Sequence, residues 1–370
     1  MTGPMTVADY MKEVLVHPHT GYYINKDVFG QKGDFITSPE ISQLFGELLG
    51  VWSVYEWQKI GAPKPLQIIE LGPGRGSMMQ DILKVYSRLK LNDSIKVHLV
   101  EISPKLSQIQ SNRLCESLNE GSMDDLSYRK GITKFGVPIS WHKMIEDVPR
   151  GFSCIFAHEF FDALPIHKFQ KTENGWREVL IDIDPKHDKL LRYVLSPGPT
   201  PATKVFASND DTANHREVCP QAGVIMEHLA IRLEEHGGFA LIADYGHLGD
   251  KYDTFRAFKE HKLHDPLIEP GSADLTADVD FTFLKKSVAD KLVTLGPVPQ
   301  RQFLNSMHID ARLKILLENC KTEVECKNLS SGYKMLMDPD KMGERFKFMA
   351  LFPAVLEPYL NQMRVAGFQD

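Results

Sequence analysis

An α/β fold built on a largely parallel sheet is predicted by two observations. Short apolar runs at Leu66–Leu71, Lys96–Glu101, Val137–Trp141, Ser153–His158 and Phe239–Tyr245 alternate with helical stretches at Met78–Lys90, Lys105–Leu118 and Val224–Glu235. Strands that are apolar on both faces need helices on both faces, which is the arrangement of a parallel sheet. Several runs also end on a charged or polar residue, among them Glu101 and His158. Ligands in such sheets bind at the carboxyl ends of the strands, where these residues collect.

The flanking elements follow in order. Thr6 with Asp9 three residues later reads as a helix cap, opening a helix to about Val16. Gly21–Tyr23 through Gly33–Phe35 has no period and reads as loop. Ser38-Pro39 starts a second helix, a hydroxyl cap followed by proline in the first turn, which runs to Gly61-Ala-Pro63. Trp176–Asp184 and Lys189–Leu195 read as a β-hairpin inserted after the fourth core strand, followed by a loop to about Ala213. The last 70 residues read as helical, with Asp338-Pro339 as another start. The expected organisation is a helical segment with a lid loop at 1–62, a core at 63–300 carrying an insertion at about 165–213, and a helical extension at 301–370.

Composition narrows the function classes. The 370 residues carry 43 Lys and Arg against 49 Asp and Glu, a net charge of −6. That balance argues against nucleic acid as the main partner, which needs a concentrated basic face. No run approaches the roughly 18 apolar residues of a membrane span; the longest, Phe348–Leu356, is interrupted by Pro353. The 5 cysteines (Cys115, Cys154, Cys219, Cys320, Cys326) are odd in number without a C-x-x-C pair, which favours a reducing compartment. His261 and His264 are the one close histidine pair with a ligand-like gap, and no third ligand stands nearby, so no metal site is expected.

The strongest motif is Glu70-Leu-Gly72-Pro-Gly74-Arg-Gly76, placed directly after a strand and before a helix. Such a turn lets backbone approach a nucleoside, and the helix N-terminus presents free N–H groups. A dinucleotide fold wants G-x-G-x-x-G; here the spacing is G-x-G-x-G, which argues against a nicotinamide-dependent oxidoreductase. The acid two residues before the first glycine would repel a pyrophosphate. It suits a ligand with an ammonium and a sulfonium, namely S-adenosylmethionine. Glu101, ending the second strand, is placed to accept hydrogen bonds from a ribose. The segment Gly33-Asp34-Phe35-Ile-Thr37-Ser38 reads either as a lid over that cofactor, with Phe35 and Thr37 as contacts, or as the entry to the following helix.

The fourth strand runs into His158-Glu159-Phe160-Phe161-Asp162. Glu159 and Asp162 stand three apart, so on a helical turn they share a face. Two carboxylates beside a sulfonium suit a guanidinium acceptor, held bidentately and stabilised as it is methylated. His158 is a candidate base or orienter, and Phe160 and Phe161 read as core. Asp244, Asp274, Asp278 and Asp280 read as capping and turn residues.

Four spaced motifs carry a resemblance: Gly33-Asp-Phe-Ile-Thr-Ser-Pro-Glu-Ile-Ser42, the Glu70–Gly76 loop, His158-Glu-Phe-Phe-Asp-Ala-Leu-Pro165 and Asp274-Leu-Thr-Ala-Asp-Val-Asp-Phe281. Together they resemble the MidA-type methyltransferase family, and within it the animal mitochondrial branch of protein arginine methyltransferases that serve as complex I assembly factors. The resemblance spans essentially the whole chain. It implies a Rossmann-like seven-strand methyltransferase core, S-adenosylmethionine as donor, and symmetric ω-dimethylation of an arginine in a core subunit of respiratory complex I. It puts the cofactor motif on Glu70, Gly72, Gly74 and Gly76, the ribose acid on Glu101, and the acceptor loop on His158, Glu159 and Asp162. It implies the mitochondrial matrix; the first residues show no Arg-rich presequence, so that location rests on the resemblance and the cysteines. The rival expectation is a methyltransferase-shaped assembly chaperone with little or no activity.

Overall fold

The computed structural model describes residues 3–25, 37–119, 126–207 and 213–368. The chain divides into two compact units. One is Ile36–Phe160, Glu227–Gly246 and Lys285–Asp370; the other is Met1–Phe35, Phe161–Met226 and His247–Leu284.

The larger unit holds the sheet. Its strands are β1 (Leu66–Leu71), β2 (Ile95–Val100), β3 (Cys115–Asn119), β4 (Arg129–Thr133), β5 (Pro138–His142), β6 (Ser153–His158), β7 (Gly238–His247), β8 (Leu292–Pro299) and β9 (Phe346–Pro353), in the spatial order β8-β9-β7-β6-β1-β2-β5-β4-β3. β1 pairs in parallel with both β2 and β6, and β2–β5 and β6–β7 are parallel as well. β9 runs antiparallel between β7 and β8. After β1 the chain moves outward on one side through β2 and β5, then returns to add β6 and β7 on the other. The reversal lies between β1 and β6, the switch point at which such sheets bind ligands.

Three helices position that crevice: α1 (Gln43–Lys59), α2 (Ser77–Arg88) and α3 (Pro104–Leu114). Ser42 caps α1 by accepting from Leu44 N, and α1 is buried on nearly every face, with Leu44, Phe45, Leu48, Leu49, Trp52 and Trp57 in the core. All six residues of β1 are buried, so the strand carries Glu70 into the interior.

Two expectations about elements are corrected. Helix was expected through Leu118, but α3 ends at Leu114 and Cys115–Asn119 forms a strand paired with Arg129–Thr133. Helix was also expected throughout 301–370, where Phe346–Pro353 is instead a buried strand inside the sheet. A strand buried on both faces reads as a continuous apolar run without a period of two, so pattern alone does not separate it from helix.

In the other unit, the expected hairpin is present as Gly175–Asp184 and His187–Leu195, and it joins a sheet with His167–Thr172, His215–Val218 and Met5–Thr6. The helix Val7–Val16 begins as expected, with Thr6 Oγ1 accepting from Asp9 N at 3.0 Å. It packs Val7, Tyr10, Met11, Val14 and Leu15 against Val179, Ile181 and Leu275. The segment read as loop from Gly21 contains a short helix, Tyr22–Asn25. His261 lies in the tight turn of the hairpin Arg256–Lys259 and Lys262–His264, where Glu260 and His261 both have positive φ. Among the described residues no helix is long and apolar enough to cross a membrane.

Candidate cofactor and acceptor site

The glycine loop follows β1. Gly72, Gly74 and Gly76 have φ of 61°, 52° and 78°, the left-handed region that side chains disfavour. Gly72 needs the absence of a Cβ for a second reason: an added Cβ would stand 3.0 Å from the Phe160 ring. Gly72 N donates to Val100 O at 3.0 Å, so the loop is stitched to the end of β2. Gly76 caps α2, turning that helix N-terminus toward the loop.

Glu70 is 3 % exposed, and its Oε2 has no hydrogen-bond partner among the described residues. Burial pushes its carboxyl well above the usual range, with the neighbouring Glu101 carboxylate adding to the rise. An orphaned carboxylate oxygen facing a second acid calls for a cation or a donor. The ammonium of S-adenosylmethionine fits that need, and the backbone cradle of the three glycines fits its nucleoside end.

Glu101 is fixed from both sides. Ser103 N donates to Oε1 at 2.7 Å and Gln110 Nε2 donates to Oε2 at 3.0 Å. Burial moves its pKa up to about 7, against the opposing pull of the Ser103, Gln110 and Ile102 donors. Its orientation leaves acceptor capacity for ribose hydroxyls.

The motif Ser38-Pro-Glu40 also meets the loop. Glu40 accepts from Ser77 at the start of α2 and lies 3.6 Å from Arg75 and 3.7 Å from Arg113. Thr37 is the N-cap of Ser38–Ile41, its carbonyl accepting from Glu40 and Ile41 N. Phe35 and the rest of the expected lid through Ile36 lie outside the described residues.

On the acceptor side, Glu159 sits one residue past β6 with φ of 46°. Its N–H donates to Ala243 O at 3.0 Å, and Phe160 N donates to Asp244 Oδ2 at 3.1 Å, so the end of β7 holds the turn in place. Glu159 Oε1 accepts from Ser38 N at 3.4 Å and lies 3.4 Å from His158 Nε2. Burial moves His158 down to about 3, so the ring is neutral at physiological pH and the contact is not an ion pair. The ring packs edge-on against Phe45, centroids 4.8 Å apart.

The helical turn that was to put Glu159 and Asp162 on one face is absent. The segment is a bend followed by a turn, because β7 draws Glu159 into the left-handed region. Asp162 belongs to the other unit, where its Oδ2 accepts from Thr276 Oγ1 at 2.9 Å and its carbonyl accepts from Ala277 N at 3.1 Å. Phe161 is buried as expected, whereas Phe160 is only partly buried and lies against Gly72. The capping reading holds for Asp280, whose Oδ1 accepts from Thr282 and Phe283 N. Asp244 instead lies buried within β7 and accepts from Phe160 and Tyr245 N, Asp274 accepts from the Tyr23 hydroxyl, and Asp278 is ion-paired with Lys251 and Arg256. Sequence reasoning did not find Gln110, Trp141 or Ser103, since nothing local distinguishes them from other helix and strand residues.

A parallel sheet with a G-x-G-x-G cradle and an orphaned acid at its switch point defines the class, an S-adenosylmethionine-dependent methyltransferase. Known proteins agree. A family model described as a putative S-adenosyl-L-methionine-dependent methyltransferase matches residues 48–298. The mitochondrial protein arginine methyltransferase NDUFAF7 of Homo sapiens is 55 % identical over 360 residues, covering 95 % of this chain and 81 % of that protein. The Danio rerio protein of the same name is 52 % identical over 381 residues, covering 100 % and 90 %. The crystal structure of a COG1565 superfamily member from Burkholderia thailandensis, bound to S-adenosyl-homocysteine, has the same fold, with a TM-score of 0.77 at 21 % identity over 100 % of this chain and 89 % of that one. The chain belongs to the NDUFAF7 family of S-adenosyl-L-methionine-dependent methyltransferases. It is a methyltransferase, and S-adenosyl-L-methionine is its cofactor.

Proposed function

We propose that this protein methylates an arginine guanidinium of a core subunit of respiratory complex I, giving symmetric ω-dimethylarginine during assembly in the mitochondrial matrix. The relatives' names supply the arginine and the mitochondrion. The observation within the chain that supports the reading is Glu159, a carboxylate-bearing residue kept at φ 46° at the switch point by its bond to Ala243 O. Left-handed backbone costs a non-glycine residue about 1 kcal/mol or more and persists where surrounding structure over-determines it, typically at functional sites.

In this reading the cofactor supplies an electrophilic methyl group on a sulfonium. Glu70 takes the ammonium, the Gly72–Gly76 backbone takes the nucleoside end, and Glu101 takes the ribose. Glu159 holds the guanidinium by charge-assisted hydrogen bonds. As the N–CH3 bond forms and the S–CH3 bond breaks, the sulfonium leaves as a neutral thioether and the nitrogen's proton passes to the Glu159 carboxylate and from there to solvent. His158, neutral by burial, is too weak a base to accept that proton and serves to position Glu159. Asp162 braces the Thr276–Ala277 segment. Catalysis is mainly alignment and electrostatics, without a covalent enzyme intermediate.

The test is restoration of mitochondria depleted of the protein, with mass spectrometry of complex I core subunits. Wild type is expected to restore one symmetric dimethylarginine together with assembly, and a Gly74→Val variant to restore neither. Assembly rescued by Gly74→Val without methylation would overturn the enzymatic reading in favour of a chaperone.

A further inference from the structure

Gln110 lies in the last turns of α3, fully buried, and its amide is spent on three partners. Nε2 donates to Gly74 O at 2.7 Å and to Glu101 Oε2 at 3.0 Å, one hydrogen to each. Oε1 accepts from Trp141 Nε1 at 2.8 Å. The indole N–H is donor only and the Gly74 carbonyl acceptor only, so a single amide orientation satisfies the set. Gly74 follows β1, Glu101 follows β2 and Trp141 lies in β5. One side chain therefore links the loop that approaches the nucleoside to the acid that meets its ribose.

We propose that Gln110 is a positioning residue for cofactor binding, locking the Gly72–Gly76 loop to the Glu101 carboxylate so that both halves of the nucleoside site are set before the ligand arrives. This rests on Glu101 being the ribose acid. A preorganised acceptor loses less ordering free energy on binding, and loss of a hydrogen bond to a charged group is a change of about tenfold or more.

The lock also has an electrostatic consequence. The groups facing the Glu101 side chain are the Glu70 carboxylate from β1, the backbone N–H of Ile102 and Ser103, and Gln110; Tyr128 donates to the Glu101 carbonyl at 2.8 Å. Burial raises the Glu101 pKa and Gln110 is one of the donors that lower it. Without that donor the group protonates at higher pH. Protonation converts one acceptor site to a donor, so affinity that needs the carboxylate is lost as pH falls through the free protein's pKa.

Calorimetric titration with S-adenosylhomocysteine between about pH 6 and 9, on folded protein checked by circular dichroism, tests the lock. Gln110→Met is expected to weaken binding about tenfold near pH 7 and less at pH 9, where Glu101 ionises regardless. Gln110→Glu keeps the acceptor for Trp141 and sets a second carboxylate against the first, so its loss is expected to grow as pH rises. Glu101→Gln serves as the control and is expected to weaken binding and flatten the profile. Wild-type affinity and profile in both Gln110 variants, alongside a weakened Glu101→Gln, would overturn the lock alone. A Glu101→Gln protein that binds like wild type would overturn the ribose assignment and the lock with it.

Discussion

His98 and His142 show how burial sets charge at single residues. Their rings meet through Nδ1 and Nε2 at 3.0 Å between β2 and β5, both buried. Burial, His142, Arg232 and Lys96 together move His98 down to about 3, and burial lowers His142 as well. The unfolded chain takes up a proton near the ordinary value of about 6.5, while the folded protein resists until far lower pH. The unfolded state therefore binds more protons in this window, and stability falls as pH drops below about 6.5, by up to ~1.4 kcal/mol per pH unit for one such group. Glu70 and Glu101 act in the opposite sense, because their raised values make the apo fold less stable once they ionise. The difference between wild type and a His98 variant in urea unfolding across this range separates the histidine contribution from theirs. A His98→Asn variant, which keeps a polar partner for His142 and does not titrate, is expected to lose less stability than wild type between pH 6.5 and 4; parallel curves would contradict the assignment.

Among the elements, α1 and α2 pack unusually closely, and two glycines permit it. A Cβ at Gly46 would stand 2.7 Å from Asp81 Cβ, and one at Gly50 would stand 3.1 Å from Val85 Cβ. Alanine in a helix interior gains about 1 kcal/mol over glycine, but overpacking costs about 1–3 kcal/mol. At Gly46 the contact lies below what a real Cβ tolerates and the neighbour is a main-chain-proximal atom, so overpacking wins. Gly46→Ala is expected to destabilise the fold by roughly 1–2 kcal/mol in chemical denaturation; a gain in stability would show that the helices can separate freely. This spacing matters to function because α2 begins at Gly76 and carries the loop. The core strands β1, β2, β5, β6 and β7 were legible because each is a short apolar run next to a helix signal. β3 and β4 were not, since their pairing depends on each other rather than on local pattern. β9 was missed for the same reason in another form: its pairing depends on β7 and β8, and burial on both faces leaves it an apolar run without a period of two.

At the scale of the molecule, the sheet collects residues distant in sequence at the carboxyl ends of its central strands. Glu70 and the glycines were readable because a strand, an acid, a Gly-rich turn and a helix follow one another without interruption. Glu101 was readable as a strand end. Gln110 and Asp244 were not readable as site residues, since each acts on partners at or beyond the end of an element distant from its own. The helical turn expected to put Glu159 and Asp162 on one face is absent, because a backbone bond from β7, which sequence spacing does not encode, holds Glu159 instead. In the proposed function the transfer chemistry belongs to Glu159 and the cofactor to the β1 and β2 ends, and these can be separated by experiment. The most direct measurement is transfer of labelled methyl from S-adenosylmethionine to complex I assembly intermediates by Glu159→Gln, beside calorimetric cofactor binding by the same variant. The expected result is cofactor affinity within about threefold of wild type and turnover lowered at least a hundredfold, the scale of losing one transition-state electrostatic contact. Wild-type turnover by Glu159→Gln would contradict the account.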